Sequence, residues 1–327
     1  MTRPVTVTWF LPVRHRNWDR MPASCWIRCL QLLPYLERLG VQSVINDPRP
    51  RADVAVFVRR QDADAHDLAV AARARGTRVV FDLCVNYLDD TGWMPGGYGV
   101  TARHVAECRA MVEAADAVTA ASEFIARRAR QAHPCVEYIP DSVDRAHFRH
   151  TRTPGPGGPI TAIWCGYSVK AVELEPVLAR LDKRGIGLVI VSDARPALSV
   201  PFTFVRWRHA SAPTDLLRGD FAIAPRDLDH PYNHGHSFFR IGVFLAQGVP
   251  VLAGPVPSYA EVLTSDVDGL VCATDADWEA ALDRIVAEPE RLAAWSAAAV
   301  RAMAPHWTEV VAPRHAALLR TLAGVTP

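Results

Sequence analysis

TRTPGPGGP, at residues 151–159, divides this chain of 327 residues into two halves. A segment so rich in proline and glycine resists both helix and strand, which is typical of a linker. A chain of this length also exceeds what one hydrophobic core comfortably holds. The sequence therefore predicts an N-terminal domain over 1–150 and a C-terminal domain over 160–303. Residues 304–327 are predicted to form a C-terminal helix, a candidate to cross back to the first domain.

Short apolar runs alternate with helical patterns on both sides of the linker. The runs before it are 5–11, 54–58, 79–83, 117–120 and 136–139, and those after it are 160–165, 188–191, 202–205, 221–224, 249–252 and 270–272. The helical patterns include 23–39, 172–184, 236–247 and 258–264. Strands that alternate with helices indicate parallel sheets covered on both faces. We therefore predict an α/β protein with two Rossmann-like domains facing across a cleft, where ligands bind at the carboxyl ends of the strands.

The composition excludes several classes of protein. The formal net charge is +1, so no global field attracts the chain to nucleic acid. No window reaches the roughly 18 apolar residues that a membrane-spanning helix needs, although peripheral contact with a membrane stays open. The seven cysteines are scattered and odd in number, which indicates no disulfide framework. The N-terminus lacks the pattern of a secretory signal, so the cytoplasm is the expected compartment.

Three segments carry recognisable motifs. Residues 139–144 read IPDSVD, residues 219–225 read GDFAIAP, and residues 234–270 read HGHSFFRIGVFLAQGVPVLAGPVPSYAEVLTSDVDGL. They resemble the "IPNGVD" turn, the "DIGIAP" strand and the "RGKSxxKxxxYMAxGxPVVASxVxxxxEVIxxGxxGL" segment of bacterial GT-B glycosyltransferases of the group 1-like family. The resemblance covers most of the second half and the last third of the first. It implies a GT-B fold and transfer of a sugar from a nucleotide-diphosphate sugar to a lipid, polysaccharide or small-molecule acceptor.

The resemblance implies a donor site around the start of helix 236–247. A helix N-terminus attracts anions, Ser237 can add a hydroxyl donor, and Arg240 can form a bidentate pair with phosphate oxygens. Family members usually place lysine where His236 and Arg240 stand. Lys170 and Gly166 lie in the turn after strand 160–165, where the GT-B fold places a phosphate-facing loop. On spacing alone, Arg240 could equally be a surface arginine of an amphipathic helix.

The nucleoside side of the predicted donor site has three candidates and one departure from the family. Arg206 and Trp207 stand at the position of the base-binding loop, where Trp207 either stacks on the nucleobase or belongs to the core. Glu261 has a family counterpart beside the donor pocket, but S-x-x-E at 258–261 is also the spacing of a helix capping box. Many retaining members carry two glutamates eight positions apart, where this chain has Gly235 and Val243.

The acceptor side is inferred from position alone. A general base, where one is used, comes from the carboxyl ends of the N-terminal strands. The candidates are His15 and Asp19 in the polar loop 12–22, which are favoured, together with Asp82 and Asp89, and Asp82 is also assigned to the acceptor region. The glycine-rich segment 91–99, TGWMPGGYG, is predicted to be an acceptor flap with Trp93 and Tyr98 as sugar-stacking surfaces.

Two further patterns are read as structural. Asp227 and Asp229 spell D-x-D, but this motif binds a metal ion in a different, single-domain architecture, and the nearby histidines lack ligand spacing. We therefore expect no required metal and no cofactor besides the nucleotide sugar as co-substrate. No G-x-G-x-x-G follows the first strand, which argues against a dinucleotide oxidoreductase. The alternatives to a transferase are a non-catalytic GT-B homologue that assists an active enzyme and, less favoured, a nucleotide-sugar epimerase.

Overall fold

The computed structural model describes residues 3–13, 17–47, 51–94, 98–152 and 158–325, without the side chain of Met94. It contains two six-stranded parallel sheets with flanking helices, which confirms the predicted α/β fold with two Rossmann-like units. Residues 153–157 of the predicted linker lie outside the described residues.

The first sheet has the strand order β2-β1-β3-β4-β7-β8. Its strands are β1 Val5–Phe10, β2 Val41–Ile45, β3 Val54–Val58, β4 Arg78–Leu83, β7 Ala117–Ala120 and β8 Val136–Tyr138. The helices of this unit are α1 Ala23–Cys25, α2 Leu33–Arg38, α3 Ala63–Ala74, α4 Ala102–Ala114 and α5 Glu123–Ala129. A separate antiparallel hairpin pairs β5 Gly92–Met94 with β6 Tyr98–Val100.

The second sheet has the order β11-β10-β9-β12-β13-β14. Its strands are β9 Thr161–Cys165, β10 Gly187–Ser192, β11 Thr203–Arg206, β12 Phe221–Ala224, β13 Val251–Ala253 and β14 Gly269–Val271. Its helices are α6 Glu175–Lys183, α7 Ala212–Asp215, α8 Phe239–Leu245, α9 Asp275–Ala287 and α10 Arg291–Ala302, and α11 Thr308–Leu322 follows them. Short 3-10 segments span Ser168–Leu174, Leu216–Arg218, Pro231–Gly235, Pro257–Glu261 and Ala304–His306.

The central strands are buried on both faces because helices cover both sides of each parallel sheet. All residues of β3 and β12 are buried, which is why they appear in the sequence as unbroken apolar runs. The sequence analysis missed β2, because this edge strand buries only Val41 fully and carries no apolar run.

Two predicted helices differ in the structure. Segment 23–39 splits into α1, a π-helical turn at Trp26–Leu30, and α2, and the chain then turns at Gly40, whose φ is +76°. Segment 236–247 forms only the seven-residue α8, preceded by the 3-10 turn Pro231–Gly235.

The last helix, α11, packs on the first unit. Its Ala312, Ala316 and Leu319 belong to the same apolar cluster as Val5 and Val7 of β1. The small alanine side chains let the helix approach α2 closely. The C-terminal end of the chain therefore contacts the N-terminal unit.

No described helix is both long and apolar enough to cross a membrane.

Candidate functional site

A cavity of about 1030 Å³ lies between the two units. The strand order reverses between β1 and β3 in the first sheet and between β9 and β12 in the second. Loops that follow strands at such reversals diverge and leave a crevice, which is the usual ligand site of open α/β sheets. The loops after β1, β9 and β12 contribute Trp18, Lys170 and Arg226 to the lining.

One end of the cavity is rich in side chains that can carry positive charge. Arg226, Arg240, Lys170 and His236 all line it. Both arginines pair with Glu173: Arg226 Nη1 lies 2.5 Å from Oε1, and Arg240 Nη1 lies 3.4 Å from Oε2. One carboxylate faces two guanidinium groups, so this cationic end has excess positive charge. Such an arrangement suits a ligand with several negative charges.

Lys170 is the third basic side chain of the cationic end, and its ammonium group lies over two aromatic rings. Its Nζ lies 4.6 Å from the ring centroid of Tyr98 and 5.0 Å from that of Tyr232, which is within the range of a cation–π interaction. Burial, followed by the charges of Arg226 and Arg240, lowers the pKa of Lys170 well below its ordinary value. An anion bound beside it would favour its charged form and raise that pKa again.

Two buried nitrogen atoms at the cationic end lack partners. Neither His236 Nε2 nor Arg226 Nε forms a hydrogen bond within the described part of the chain. Burial, and then the charge of Arg226, lowers the pKa of His236 well below its ordinary value, so the imidazole is neutral at pH 7. Buried polar atoms are normally hydrogen-bonded, and an unpaired one calls for an explanation. A ligand with acceptor oxygens would supply the missing hydrogen-bond partners.

Close backbone approach at Gly166 shapes this end. A Cβ atom there would lie 2.6 Å from the Trp164 ring and 3.3 Å from Arg240 Nη2. The Arg240 guanidinium carbon in turn lies 5.5 Å from the Trp164 ring centroid. The absence of a side chain at Gly166 therefore lets Arg240 lie over Trp164 and reach the cavity.

The helix start predicted at His236 is wrong. Because α8 begins at Phe239 and has only seven residues, His236 and Ser237 lie before the helix and not in its first turn. Ser237 lines the cavity, but its hydroxyl donates to Asp141 Oδ2 of the first unit at 2.5 Å. Ser258 is not a helix cap either, since its hydroxyl donates to the His236 carbonyl at 2.6 Å. Both serines hold the 235–238 segment in place.

The positions of the two family glutamates cannot serve as in the family. A Cβ atom on Gly235 would lie 2.5 Å from Asn86 Cβ, so a larger residue would not fit without displacing that buried side chain. Val243 is 6% exposed and packs in the core of the second unit beside the cavity. Contact with a ribose would have to come from other residues.

The other end of the cavity is aromatic and combines both units. The rings of His147 and His209 stack at 4.2 Å with an interplanar angle of 11°. Trp18 stacks on His209 at 5.2 Å, and Trp26 meets the same ring edge-on at 4.4 Å. Trp207 lies 6.2 Å from His209, packs partly buried against the core of the second unit and lines the cavity with Arg206. This aromatic end offers flat apolar surfaces to a ring-shaped group.

Of the two proposed catalytic residues, His15 and Asp19, the structure describes only Asp19. His15 lies outside the described residues. Asp19 lines the cavity, where its carboxylate accepts the His209 backbone N–H at 2.8 Å and lies 3.5 Å from Arg208 Nη1. In this conformation Asp19 joins the two units, so a role as general base remains a prediction.

The remaining candidates lie away from the cavity lining, as far as the described residues define it. Asp82 is 2% exposed and forms a buried ion pair with Arg28, so it cannot face an acceptor. Asp89 pairs with Arg128, and Glu261 accepts a hydrogen bond from the Tyr138 hydroxyl. Trp93 is 62% exposed on the hairpin.

Tyr98 was predicted to form part of an acceptor flap, but the structure places it elsewhere. It projects from the same hairpin, but its hydroxyl donates to Glu173 Oε1 at 2.9 Å and its ring faces Lys170. It therefore belongs with the cationic end rather than with an acceptor surface. Residues 95–97 of the flap lie outside the described residues.

Sequence reasoning missed Arg226 and Glu173. Arg226 follows β12, at the carboxyl end of a strand beside the reversal of the strand order, and this position could have marked it. Glu173 lies within the 3-10 segment Ser168–Leu174 and had no such signal.

The D-x-D residues and the nearby histidine His234, which were interpreted as structural, contact the backbone of their own loop. The Asp229 N–H donates to Asp227 Oδ1 at 2.9 Å, and His234 Nε2 lies 2.7 Å from the Leu228 carbonyl oxygen. Within the described ranges, no group of three or more histidine, cysteine or acidic side chains is placed to hold a metal ion. The expectation of no required metal stays a prediction.

The stacked histidines predict a loss of stability in acid. Burial lowers the pKa of His209 to about 4 and lowers those of His147 and His236. The unfolded chain, with an ordinary histidine pKa of about 6.5, then binds more protons than the folded one below that pH. We expect the melting temperature to fall steadily from pH 7 to pH 5, and to fall less in His209→Phe, which keeps a ring in the stack. A melting temperature that stays constant over this interval would contradict the assignment.

Comparison with solved structures identifies the fold. Sucrose-phosphate synthase from Thermosynechococcus elongatus is 13% identical over 98% of this chain and 99% of that one, with a TM-score of 0.74. HepE of Anabaena in complex with UDP is 13% identical over 97% and 100%, with a TM-score of 0.69. The catalytic domain of starch synthase IV from Arabidopsis thaliana, bound to ADP and acarbose, is 9% identical over 99% and 100%, with a TM-score of 0.66. No protein-family model matches the chain, and no curated protein is significantly similar in sequence. The chain has the two-domain GT-B fold of these proteins.

Proposed function

We propose that this chain is a glycosyltransferase that takes a sugar from a nucleotide-diphosphate sugar and passes it to a lipid, polysaccharide or small-molecule acceptor. The observation that carries the proposal is the cationic end of the cavity, where Arg226 and Arg240 share one carboxylate and His236 Nε2 has no hydrogen-bond partner among the described residues. Solved structures of the same fold hold UDP, UDP-glucose or ADP, which supports a nucleotide as the ligand.

The proposed chemistry needs groups that stabilise a departing diphosphate. Negative charge grows on the diphosphate as its bond to the anomeric carbon breaks, and donors arranged in advance stabilise that charge most effectively. Arg226, Arg240 and Lys170 occupy one end of the cavity and would supply this stabilisation without a metal ion. Asp227 and Asp229, which a metal-dependent mechanism would use, are exposed and outside the lining that the described residues form.

The rest of the donor would extend from the cationic end toward the aromatic end. Arg206 and Trp207 line the same cavity beside the loop after β11, and Trp18 faces them from the first unit. Aromatic faces stack on a nucleobase or on the apolar face of a sugar. The nucleobase, joined to one phosphate through its ribose, would therefore occupy this end, and the reacting sugar would extend from the other phosphate toward the acceptor.

A thermal-shift panel tests the donor assignment. UDP, ADP, GDP and their glucose conjugates are added in turn, with the matching nucleosides as controls that lack phosphate. A ligand that binds only the folded state at 100 times its Kd stabilises it by about 2.7 kcal/mol, which raises the melting temperature by several degrees. We expect at least one diphosphate to do so while its nucleoside does not. If none of the nucleotides shifts the transition, the donor site is misassigned.

Two observations favour a second candidate, a non-catalytic homologue that assists an active enzyme. The family's glutamate positions hold Gly235 and Val243, and Asp19 is engaged between the units. Release of nucleoside diphosphate from a bound nucleotide sugar, measured in a coupled assay with candidate acceptors, separates the two. An assistant protein would bind the nucleotide without turnover.

A further inference from the structure

Glu173 lies behind the arginine pair rather than in the cavity. Its side chain is 3% exposed, and Arg226 beside it is 2% exposed. Oε1 accepts hydrogen bonds from Arg226 Nη1 at 2.5 Å and from the Tyr98 hydroxyl at 2.9 Å. Oε2 accepts from Arg240 Nη1 at 3.4 Å. All three of these donors belong to, or border, the cationic end.

The Glu173 carboxylate holds the two positively charged guanidinium groups of Arg226 and Arg240 close to each other. Burial alone would raise the pKa of Glu173, but the charges of Arg226 and Arg240 outweigh it and lower that pKa, so the group stays ionised. Arg226 Nη1 also lies 3.3 Å from Asn233 Oδ1, and among the described residues its Nε has no hydrogen-bond partner. Glu173 binds Nη1 of each arginine and does not occupy their Nε or Nη2 donors.

Tyr98 links this carboxylate to the first unit. The residue begins β6, whereas Glu173, Arg226 and Arg240 all belong to the second unit. The tyrosine ring also faces Lys170, so a single residue of the first unit contacts two groups of the cationic end. The alignment of the arginines and the approach of the two units therefore depend on the same carboxylate.

We propose that Glu173 is a positioning residue that aligns Arg226 and Arg240 for the diphosphate of the donor and, through Tyr98, ties that alignment to the hairpin of the first unit. The inference rests on the proposed function, because it assumes that a diphosphate binds here. Glu173 itself does not touch the ligand.

Two opposing effects decide what Glu173→Gln does to anion affinity. Removing a negative charge would by itself favour an anion. The amide, however, turns N–H donors toward a guanidinium donor, so at least one arginine loses its acceptor and its fixed position. Because the charge–charge attraction to the ligand depends on how closely the arginines approach it, we expect the loss of alignment to prevail.

Calorimetric titration with inorganic pyrophosphate and with UDP tests the proposal. We expect Glu173→Gln to raise the Kd for pyrophosphate at least tenfold. Glu175→Gln is the matched control. This exposed carboxylate lies two residues away, and it accepts a hydrogen bond from the Ser199 hydroxyl rather than from an arginine of the cationic end. An unchanged or lower Kd in Glu173→Gln would show that the residue only balances charge, and would overturn the inference.

A milder variant and a double-mutant cycle separate positioning from a general effect on folding. Tyr98→Phe keeps the ring over Lys170 and removes only the hydroxyl donor, so a two- to fivefold rise in Kd is expected in a folded protein. In the Arg240→Ala background, the effect of Glu173→Gln should shrink, because a residue that acts through Arg240 has less left to position. Fully additive effects, or wild-type affinity in Tyr98→Phe, would count against the proposal. If the wild type binds neither probe, it is the proposed function that fails.

Discussion

Arg226→Ala and Arg240→Ala are each expected to weaken the binding of nucleoside diphosphate by about 10- to 100-fold. A hydrogen bond from a charged group contributes about 1.5–3 kcal/mol, and every 1.4 kcal/mol is a factor of ten in affinity. Arg226 is the more buried of the two, with 2% of its side chain exposed against 16% for Arg240. Calorimetric titration with UDP or the diphosphate that performs best in the thermal-shift panel measures the change.

The control for this pair is Arg218→Ala, which removes an arginine with a 55% exposed side chain from the same unit. We expect it to bind nucleotide as the wild type does. Melting curves of all three variants without ligand check that they are folded, because Arg226→Ala also removes one partner of a buried ion pair. The effects of the two arginine changes should not add, because both side chains share Glu173. Wild-type affinity in both single variants would place the diphosphate elsewhere.

Arg28→Met is expected to destabilise the first unit by about 3–5 kcal/mol, the usual cost of removing one partner from a buried ion pair. Arg28 is 1% exposed, and its guanidinium lies 2.8 Å from Asp82 Oδ2 and 3.1 Å from Asp141 Oδ1. It also donates to the Ile139 carbonyl at 2.8 Å. The variant would leave two buried carboxylates without their positive partner.

Chemical denaturation followed by circular dichroism measures this loss, with Arg103→Met as the control. Arg103 is an exposed arginine that pairs with Glu107 one helical turn away, and its removal should leave the transition where it is. Because Asp141 also accepts the Ser237 hydroxyl, Arg28→Met should loosen the contact between the units as well. A transition at the wild-type denaturant concentration would mean that the surrounding structure tolerates both carboxylates without their partner.

Asp82 illustrates why position along the chain predicted some site residues and misplaced others. It lies in a strand near the carboxyl end of the sheet, as a catalytic carboxylate would. The side chain nevertheless points toward Arg28, which is 54 residues away in sequence, and away from the cavity. Sequence position indicates the edge of the sheet at which a residue lies, but its partner depends on which helix packs against the strand.

Gly166, Lys170 and Arg240 were proposed from the resemblance to GT-B glycosyltransferases, and each lies in the cavity lining. The helix start itself was displaced to Phe239, since the segment before it forms a 3-10 turn. Arg240 lines the cavity despite that shift, because its approach depends on the space left by Gly166.

The sequence alone determined the two parallel sheets, the cleft between them and the strand ends that line it. The reason is that hydrophobic periodicity and glycine- or proline-rich turns act over a few residues and are visible in the order of the chain. Only the tertiary structure decided that Glu173 joins Arg226, Arg240 and Tyr98, and that Asp19 reaches His209. These contacts join residues up to 190 positions apart, and they depend on how the crossover connections and the approach of the two units bring their side chains together.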